Sequence, residues 1–262
     1  MPLVLLIAGA AVEWLRLPVV LLLLAGLAAG FLRTRRLPGS HPAVLVHAGC
    51  FVVALDIAWA GAPLGPFIGD LACGDRFVPF ALLRLIGAVL VLASVAVILH
   101  VRRAEPAEIG LRWPSRRWLV ASVAVLPLVG IAAVVLGPIL AKPFFGPVSS
   151  ISPDPWTLVP ALAFAIANAS MEEVAYRGAL LRWLAPVTGA ASALALQALV
   201  FGLAHGAGTD FTGSPLPVMA ATAASGLVLG ALALRTRSLL LPIAIHVALD
   251  IPVFYGKVCL GL

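Results

Sequence analysis

Charge is scarce in this sequence of 262 residues. Asp, Glu, Lys and Arg together make up 11% of it, whereas hydrophobic residues make up 62%. A soluble chain carries about 25% charged residues. The scarcity therefore excludes an ordinary soluble domain, and no polar block is long enough to fold separately. The sequence predicts a polytopic membrane protein.

Cysteine and internal repetition are also lacking. The three cysteines form neither a CxxC metal-binding pair nor a disulfide framework, and no repeat is found along the chain. The net charge of +6 would suit nucleic acid, but the positive residues occur in short loops between apolar runs. Membrane topology explains positive charge at those positions. We therefore expect no nucleic-acid partner.

Apolar runs are abundant, and they recur along the whole chain. About 20 such residues cross a bilayer as a helix. The predicted fold is all-α, with about eight transmembrane helices in one bundle. The predicted spans cover residues 3–32, 43–62, 78–101, 118–141, 157–182, 189–206, 216–234 and 239–256.

The loops between these spans alternate in charge. Arginines follow the first, third, fifth and seventh spans, and the intervening loops are poor in positive charge. Because basic loops stay in the cytoplasm, both termini are predicted to be non-cytoplasmic. The compact length and the lack of an organelle signal favour a prokaryotic inner membrane, where membrane lipids are the expected surroundings.

Ionisable residues within the spans point to function. Glu172, Glu173 and Arg177 lie in the fifth span. Each charge at membrane depth costs at least about 2.5–3.5 kcal/mol, so the three need partners, water or a task. Glu173 and Arg177 have the spacing and order of a helical ion pair. That pairing leaves Glu172 for another role.

Two further polar pairs lie in later spans, each with its members four residues apart. They are Phe201 with His205, and His246 with Asp250. A carboxylate beside an imidazole can take a proton from water, and a second imidazole can stabilise an oxyanion. The same groups could hold zinc with one position open for water, with Glu172, His205 and His246 as the possible ligands. Both routes lead to hydrolysis of an amide.

The three motifs resemble those of a known family. Glu-Glu-x-x-x-Arg, Phe-x-x-x-His and His-x-x-x-Asp follow one another on successive predicted spans. In this order they resemble the CPBP intramembrane proteases, also called the Abi or CAAX prenyl protease family. Residues 157–256 are therefore predicted to form a catalytic helix core, and residues 1–156 the N-terminal transmembrane helices of the same membrane domain.

The resemblance implies an intramembrane endopeptidase that cleaves a peptide or a lipid-anchored protein in a cavity among the helices. By this resemblance, Glu172 activates water with His205, while His246 and Asp250 bind the developing oxyanion. The family pattern leaves both a zinc metalloprotease and a metal-free glutamate protease open. Glu173 completes the predicted catalytic set by bracing it, and structural support comes from Arg177 and Phe201.

One position departs from the family pattern, and two other functions stay open. Asp250 stands where the family often has asparagine, and it donates a hydrogen bond only when protonated. As a carboxylate it could orient His246 or ligate a metal instead. An ion- or proton-coupled transporter could use Glu172, Glu173 and Asp250 as a relay, although inverted repeats are not found. A catalytically silent scaffold is the other alternative.

Depth along the spans gives two further expectations. Asp56 and Arg84 each lie about six residues from the outer end of a span, which predicts a structural ion pair. Counting about 1.5 Å per residue puts Glu172 about 15 Å deep, His205 about 24 Å and His246 about 10 Å. Glu172, His205 and His246 can therefore meet only if helices tilt or break.

Overall fold

The computed structural model describes residues 42–60, 73–145, 155–206 and 214–260, together with Ala25, Gly26 and Ala29. Nearly all of these residues are helical, and no strand occurs among them. The predicted all-α, polytopic helix bundle is confirmed. The predicted first span, residues 3–32, lies outside the described residues except for those three.

Eight α-helices lie in the described ranges. They are α1 (Pro42–Ala60), α2 (Cys73–Arg102), α3 (Arg116–Phe145), α4 (Pro155–Glu172), α5 (Leu181–Thr188), α6 (Ala190–Gly206), α7 (Pro215–Thr236) and α8 (Leu240–Leu260). A short 3-10 helix, Pro106–Ile109, lies between α2 and α3, and a π-helix, Glu173–Leu180, joins α4 to α5.

Five helical stretches are long and apolar enough to cross a membrane. They are Pro42–Trp59, Asp75–Arg102, Arg116–Ala133, Trp156–Thr188 and Pro215–Thr236, and two shorter apolar helices cover Ala190–Gly206 and Leu240–Tyr255. These seven stretches coincide with the seven predicted spans from 43–62 onward. The chain is thus an integral membrane protein, and the side on which each terminus lies stays a prediction.

The stretch Trp156–Thr188 is the central element of the bundle. It has 33 residues and is 67% buried, a larger buried share than in any other long apolar stretch. A straight α-helix of that length would measure close to 50 Å, whereas the hydrocarbon core is about 30 Å thick. The stretch must therefore be inclined to the membrane or extend beyond it. Helices α2 and α8 pack on α4, and α1 packs on the π-helix and α5.

Helices α6 and α7 form a close pair that needs small residues. A Cβ atom added to Gly202 would lie 2.6 Å from the Met219 carbonyl oxygen on α7. Gln197 Nε2 donates a 2.8 Å hydrogen bond to the Gly226 carbonyl oxygen. Small residues allow backbones to approach this closely, as in other membrane helix pairs. The pair thereby fixes α6, which carries His205.

Several helix ends meet at one end of the bundle. The Leu239 N–H donates to the Gly110 carbonyl at 2.9 Å, and the Ser238 hydroxyl donates to the Arg112 carbonyl at 2.6 Å. Gly110 has a φ of +84°, in the left-handed region that glycine adopts readily. The loop after α2 and the turn between α7 and α8 are therefore joined, as loops on one side of a membrane can be.

The predicted ion pair between Asp56 and Arg84 is wrong. Trp59 Nε1 donates a 3.1 Å hydrogen bond to a backbone carbonyl of α2, which aligns the two helices at this level. Among the described residues, however, no ion pair within 4.0 Å joins Asp56 to Arg84. The Arg84 guanidinium lies 5.5 Å from the Phe164 ring centroid, and Asp56 makes a hydrogen-bonding contact with Tyr176. The two charges therefore interact only at longer range, and each side chain directly contacts a different neighbour.

Candidate active site

The structure brings together the carboxylates and imidazoles of the three motifs. Glu172 Oε2 lies 3.6 Å from His246 Nε2 and 4.0 Å from His205 Nε2. His246 Nε2 in turn lies 3.5 Å from Asp250 Oδ1. Helices α4, α6 and α8 therefore meet at one point, although counting residues from the span ends gave three different depths.

The α-helix gives way to a π-helix between the two glutamates. Glu172 ends α4 and Glu173 begins the π-helix, whose eight residues are all buried. The Leu181 N–H donates to the Tyr176 carbonyl, five residues back, as a π-helix requires. Such widened turns are frequent at functional sites. Here the change of geometry lets adjacent carboxylates contact different nitrogen atoms of one imidazole, that of His246.

Glu173 and Arg177 form the ion pair expected from their spacing. Arg177 Nη1 lies 3.3 Å from Glu173 Oε1, and both side chains are fully buried. The Arg177 guanidinium also lies 4.1 Å from the centroid of the Phe201 ring. Aromatic faces attract cations, and more strongly in the absence of water. The arginine charge is thus stabilised by a carboxylate on one side and a ring on another.

His246 is surrounded by three carboxylates. Its Nδ1 lies 2.8 Å from Glu173 Oε1, so the hydrogen atom on Nδ1 is donated to that carboxylate. Its Nε2 faces Glu172 and Asp250. A ring held in this way keeps one orientation, and with both nitrogens protonated it can also donate from Nε2.

His205 is oriented by the backbone of its own helix. Its Nδ1 lies 2.8 Å from the Phe201 carbonyl oxygen, which only accepts hydrogen bonds, so Nδ1 carries the hydrogen atom. The neutral ring therefore presents an accepting Nε2 towards Glu172. The Phe201 ring contacts the imidazole edge-on at 4.4 Å between centroids. Phe201 thus packs beneath His205, where its position one turn earlier predicts it.

Asn168 belongs to the site but was not predicted from the sequence. Its Nδ2 donates a 2.9 Å hydrogen bond to Asp250 Oδ2. Asn168 lies four residues before Glu172, on the same helix, and both are buried. An amide one turn before a buried glutamate in an apolar span is the signal that would have identified it. Asp250 accepts this bond as a carboxylate oxygen.

Asp56 is a second residue that was not assigned to the site. Its side chain is 4% exposed, and its Oδ1 has no hydrogen-bond partner among the described residues. Its charge interacts with those of Glu172 and His246, and Tyr176 contacts it. The aspartate therefore places another carboxyl group beside the site from α1, outside the part of the chain that carries the motifs.

The residues named as possible zinc ligands do not fit that role well. Within the described ranges, no three His, Cys, Asp or Glu side chains form a group that could hold a metal ion. Glu173 occupies His246 Nδ1, while His246 Nε2 is shared between Glu172 and Asp250. These contacts hold the imidazole against carboxylates instead of leaving its nitrogens open to a cation. We therefore derive no chemical step through a metal.

Comparison with known proteins agrees with the motifs. No curated protein and no solved structure gives a significant match to the chain. Residues 154–252 match a family model described as type II CAAX prenyl endopeptidase Rce1-like. The matched segment contains every motif residue of the site, from Glu172 to Asp250. Over residues 154–252 the chain is thus similar to the Rce1-like type II CAAX prenyl endopeptidases, which confirms the resemblance drawn from the three motifs.

Proposed function

We propose that the protein is an intramembrane endopeptidase that hydrolyses a peptide bond with water activated by Glu172 and His205. The observation that carries this proposal is the 4.0 Å separation between Glu172 Oε2 and His205 Nε2. A water molecule that donates two hydrogen bonds of about 2.8 Å can bridge two acceptor atoms that lie about 4 Å apart. Both atoms accept hydrogen bonds, so the two hydrogens of one water suit them.

Activation follows from the positions of these acceptors. Glu172 takes one proton from the water, and His205 holds the other hydrogen so that the oxygen lone pair points away from both. The oxygen then attacks the carbonyl carbon of the substrate and forms a tetrahedral intermediate. Transfer of the proton from Glu172 to the amide nitrogen releases an amine and a carboxylic acid. Atoms and charge balance in this sequence without another reactant.

The oxyanion of the intermediate needs a hydrogen-bond donor, and His246 is the side chain we assign to it. The ring is locked by Glu173 at Nδ1, and its Nε2 lies beside the Glu172 carboxylate that bears the water. A donor fixed in advance stabilises developing charge most effectively. Asp250, which accepts a bond from Asn168, serves in this scheme to orient His246 and not to donate.

Access to the site supports entry of substrate from the side of His205. The His205 side chain is 20% exposed, whereas Glu172 is 7% exposed. The other walls of the site are formed by apolar helices, and their buried side chains include Phe201 and Tyr176. A peptide that carries an attached lipid suits such surroundings, because its apolar part stays in the membrane while the scissile bond reaches the water. The substrate class we propose is a peptide or a lipid-anchored protein.

The test is cleavage of a quenched-fluorescence peptide library, with and without a prenylated cysteine, by purified protein in detergent. Mass spectrometry of the products locates the cut. We expect cleavage by the native protein and loss of at least about 100-fold in Glu172→Ala and His205→Ala. Two matched controls, Glu105→Ala and His100→Ala, remove an exposed acid and an exposed histidine far from the site in sequence, and they should cleave normally.

A chelator arm tests the metal-free form of the proposal. The native protein is assayed after dialysis against a strong zinc chelator and again after zinc is returned. Unchanged activity is the expected result, because the Glu172 and His205 acceptors act on water directly. Activity that disappears with the chelator and returns with zinc would contradict the metal-free mechanism while leaving the protease itself in place. Normal cleavage by Glu172→Ala would contradict the proposed role of Glu172.

A further inference from the structure

Arginines from three separate segments meet at one end of the bundle. Arg112 follows the 3-10 helix, Arg182 is the second residue of α5, and Arg237 follows α7. We call these three residues the arginine patch. We propose that the arginine patch binds the phosphate group of an anionic membrane lipid.

The backbone brings the three segments together. The Arg112 carbonyl accepts from the Ser238 hydroxyl at 2.6 Å, so the residue after Arg237 contacts Arg112 directly. Arg182 Nη2 donates to the Ala233 carbonyl at 3.1 Å, near the end of α7. Gly110 leaves room for the Arg182 side chain, since a Cβ there would lie 2.6 Å from Arg182 Nη2. The patch is thus fixed by the fold.

The patch lacks the acids that would neutralise it. The charges of Arg112 and Arg182 repel each other. In the described part of the chain, no ion pair joins an arginine of the patch to an acidic side chain; Glu108, the nearest acid in sequence to Arg112, bonds Arg102 at 2.6 Å and Trp183 at 3.0 Å. Arg182 Nε is buried and has no hydrogen-bond partner there. Guanidinium groups that repel each other and lack an acidic partner indicate a place for an anion.

The surroundings favour a lipid over a free anion. Trp113, next to Arg112, is 77% exposed, and exposed tryptophans lie at the level of the lipid headgroups. Helix α3 begins three residues later and exposes Val120 and Val123 on its first turns. These apolar side chains can contact acyl chains below a headgroup held by the patch. Guanidinium groups bind phosphate oxygens in pairs, which suits this ligand.

The inference does not depend on the proposed protease activity, because its test measures binding. Purified protein is titrated in detergent with phosphatidylglycerol, phosphatidylcholine or inorganic phosphate, and bound lipid is counted by native mass spectrometry. We expect phosphatidylglycerol to bind more tightly than phosphatidylcholine. Arg112→Gln and Arg237→Gln should each weaken phosphatidylglycerol binding about fivefold, as expected for one arginine near an anionic surface.

Two further variants make the result specific. Arg103→Gln removes an exposed arginine in the turn just after α2. This variant should change phosphatidylglycerol binding by less than about twofold, compared with about fivefold for a patch arginine. Arg182→Lys keeps the charge but not the paired donors, and it should weaken binding as well. Thermal melting without added lipid checks that each variant is folded.

Three results would overturn the inference. Equal weakening by Arg103→Gln and Arg112→Gln would mean a diffuse attraction to the surface. Phosphatidylglycerol binding that no patch variant changes would place the lipid elsewhere. Inorganic phosphate that binds as tightly as phosphatidylglycerol, with the same dependence on Arg112, would mean a free anion instead of a lipid.

Discussion

The buried pair of Glu173 and Arg177 gives a stability prediction that the structure makes quantitative. Both side chains are fully buried and their charged atoms lie 3.3 Å apart. Breaking a buried pair by removal of one partner costs about 3–5 kcal/mol, because the other charge is left uncompensated. In Arg177→Met, Glu173 still accepts a bond from His246. We therefore expect the free energy of unfolding to fall by about 3 kcal/mol, the lower end of that range.

The assay is unfolding by a denaturing detergent in mixed micelles, with Arg116→Met as the control for loss of an exposed arginine. That control should change the free energy of unfolding by no more than about 1 kcal/mol. The double variant Glu173→Gln/Arg177→Met should lose less free energy of unfolding than Glu173→Gln and Arg177→Met lose in total. The difference should be about 1–3 kcal/mol. A cost below about 1 kcal/mol for Arg177→Met, or simple additivity, would refute the reasoning.

Three other predictions concern the site and the packing around it. Asp250→Asn should keep kcat for peptide cleavage within about tenfold of the native value, because a polar side chain still holds His246. Asp250→Leu removes the polar group and should lower kcat at least about 100-fold. Gly202→Ala should lower the free energy of unfolding by about 1–3 kcal/mol, because the added Cβ meets a carbonyl of α7. Its control in the same unfolding assay is Gly130→Ala, whose Cβ would have nothing within 4 Å. That variant should be neutral or stabilising by up to about 1 kcal/mol. Trp59→Phe should cost about 1 kcal/mol through the lost hydrogen bond between α1 and α2, and an unchanged free energy of unfolding would contradict that contact.

Much of the fold follows from the sequence, because apolar length alone defines a span. Seven predicted spans coincide with apolar helices in the structure. The π-helix that begins at Glu173 was not predicted, because it keeps the hydrophobic pattern of a helix and differs only in which carbonyl each N–H reaches. Its boundary between two glutamates is a property of the packed bundle and not of local propensity.

The site was predicted in its composition but not in its geometry. Glu172, His205 and His246 were predicted as site residues from their motifs, yet counting from span ends put them at different depths. That counting assumes upright helices with ends at one level, whereas the stretch Trp156–Thr188 must be inclined to the membrane or extend beyond it. Asp56 and Arg84 were expected to pair because they lie at similar depth, but depth leaves open which way a side chain turns.

The N-terminal helices contribute to the site in a way that the motifs do not reveal. Asp56 on α1 lies beside Tyr176 and interacts with Glu172. Arg84 on α2, which contacts Phe164, interacts with both carboxyl groups. The family match begins only at residue 154. The electrostatic environment of the site is therefore set partly by helices outside the matched segment.

The central claim is that Glu172 and His205 act on one water molecule, and a double-mutant cycle on kcat tests it most directly. Cleavage of the best peptide is measured for the native protein, Glu172→Gln, His205→Ala and the double variant, with each protein shown to be folded. Groups that act as a unit give losses that are far from additive. We predict that the double variant is no slower than the slower single variant, within about threefold. A double variant whose loss equals the product of the two single losses would contradict the account.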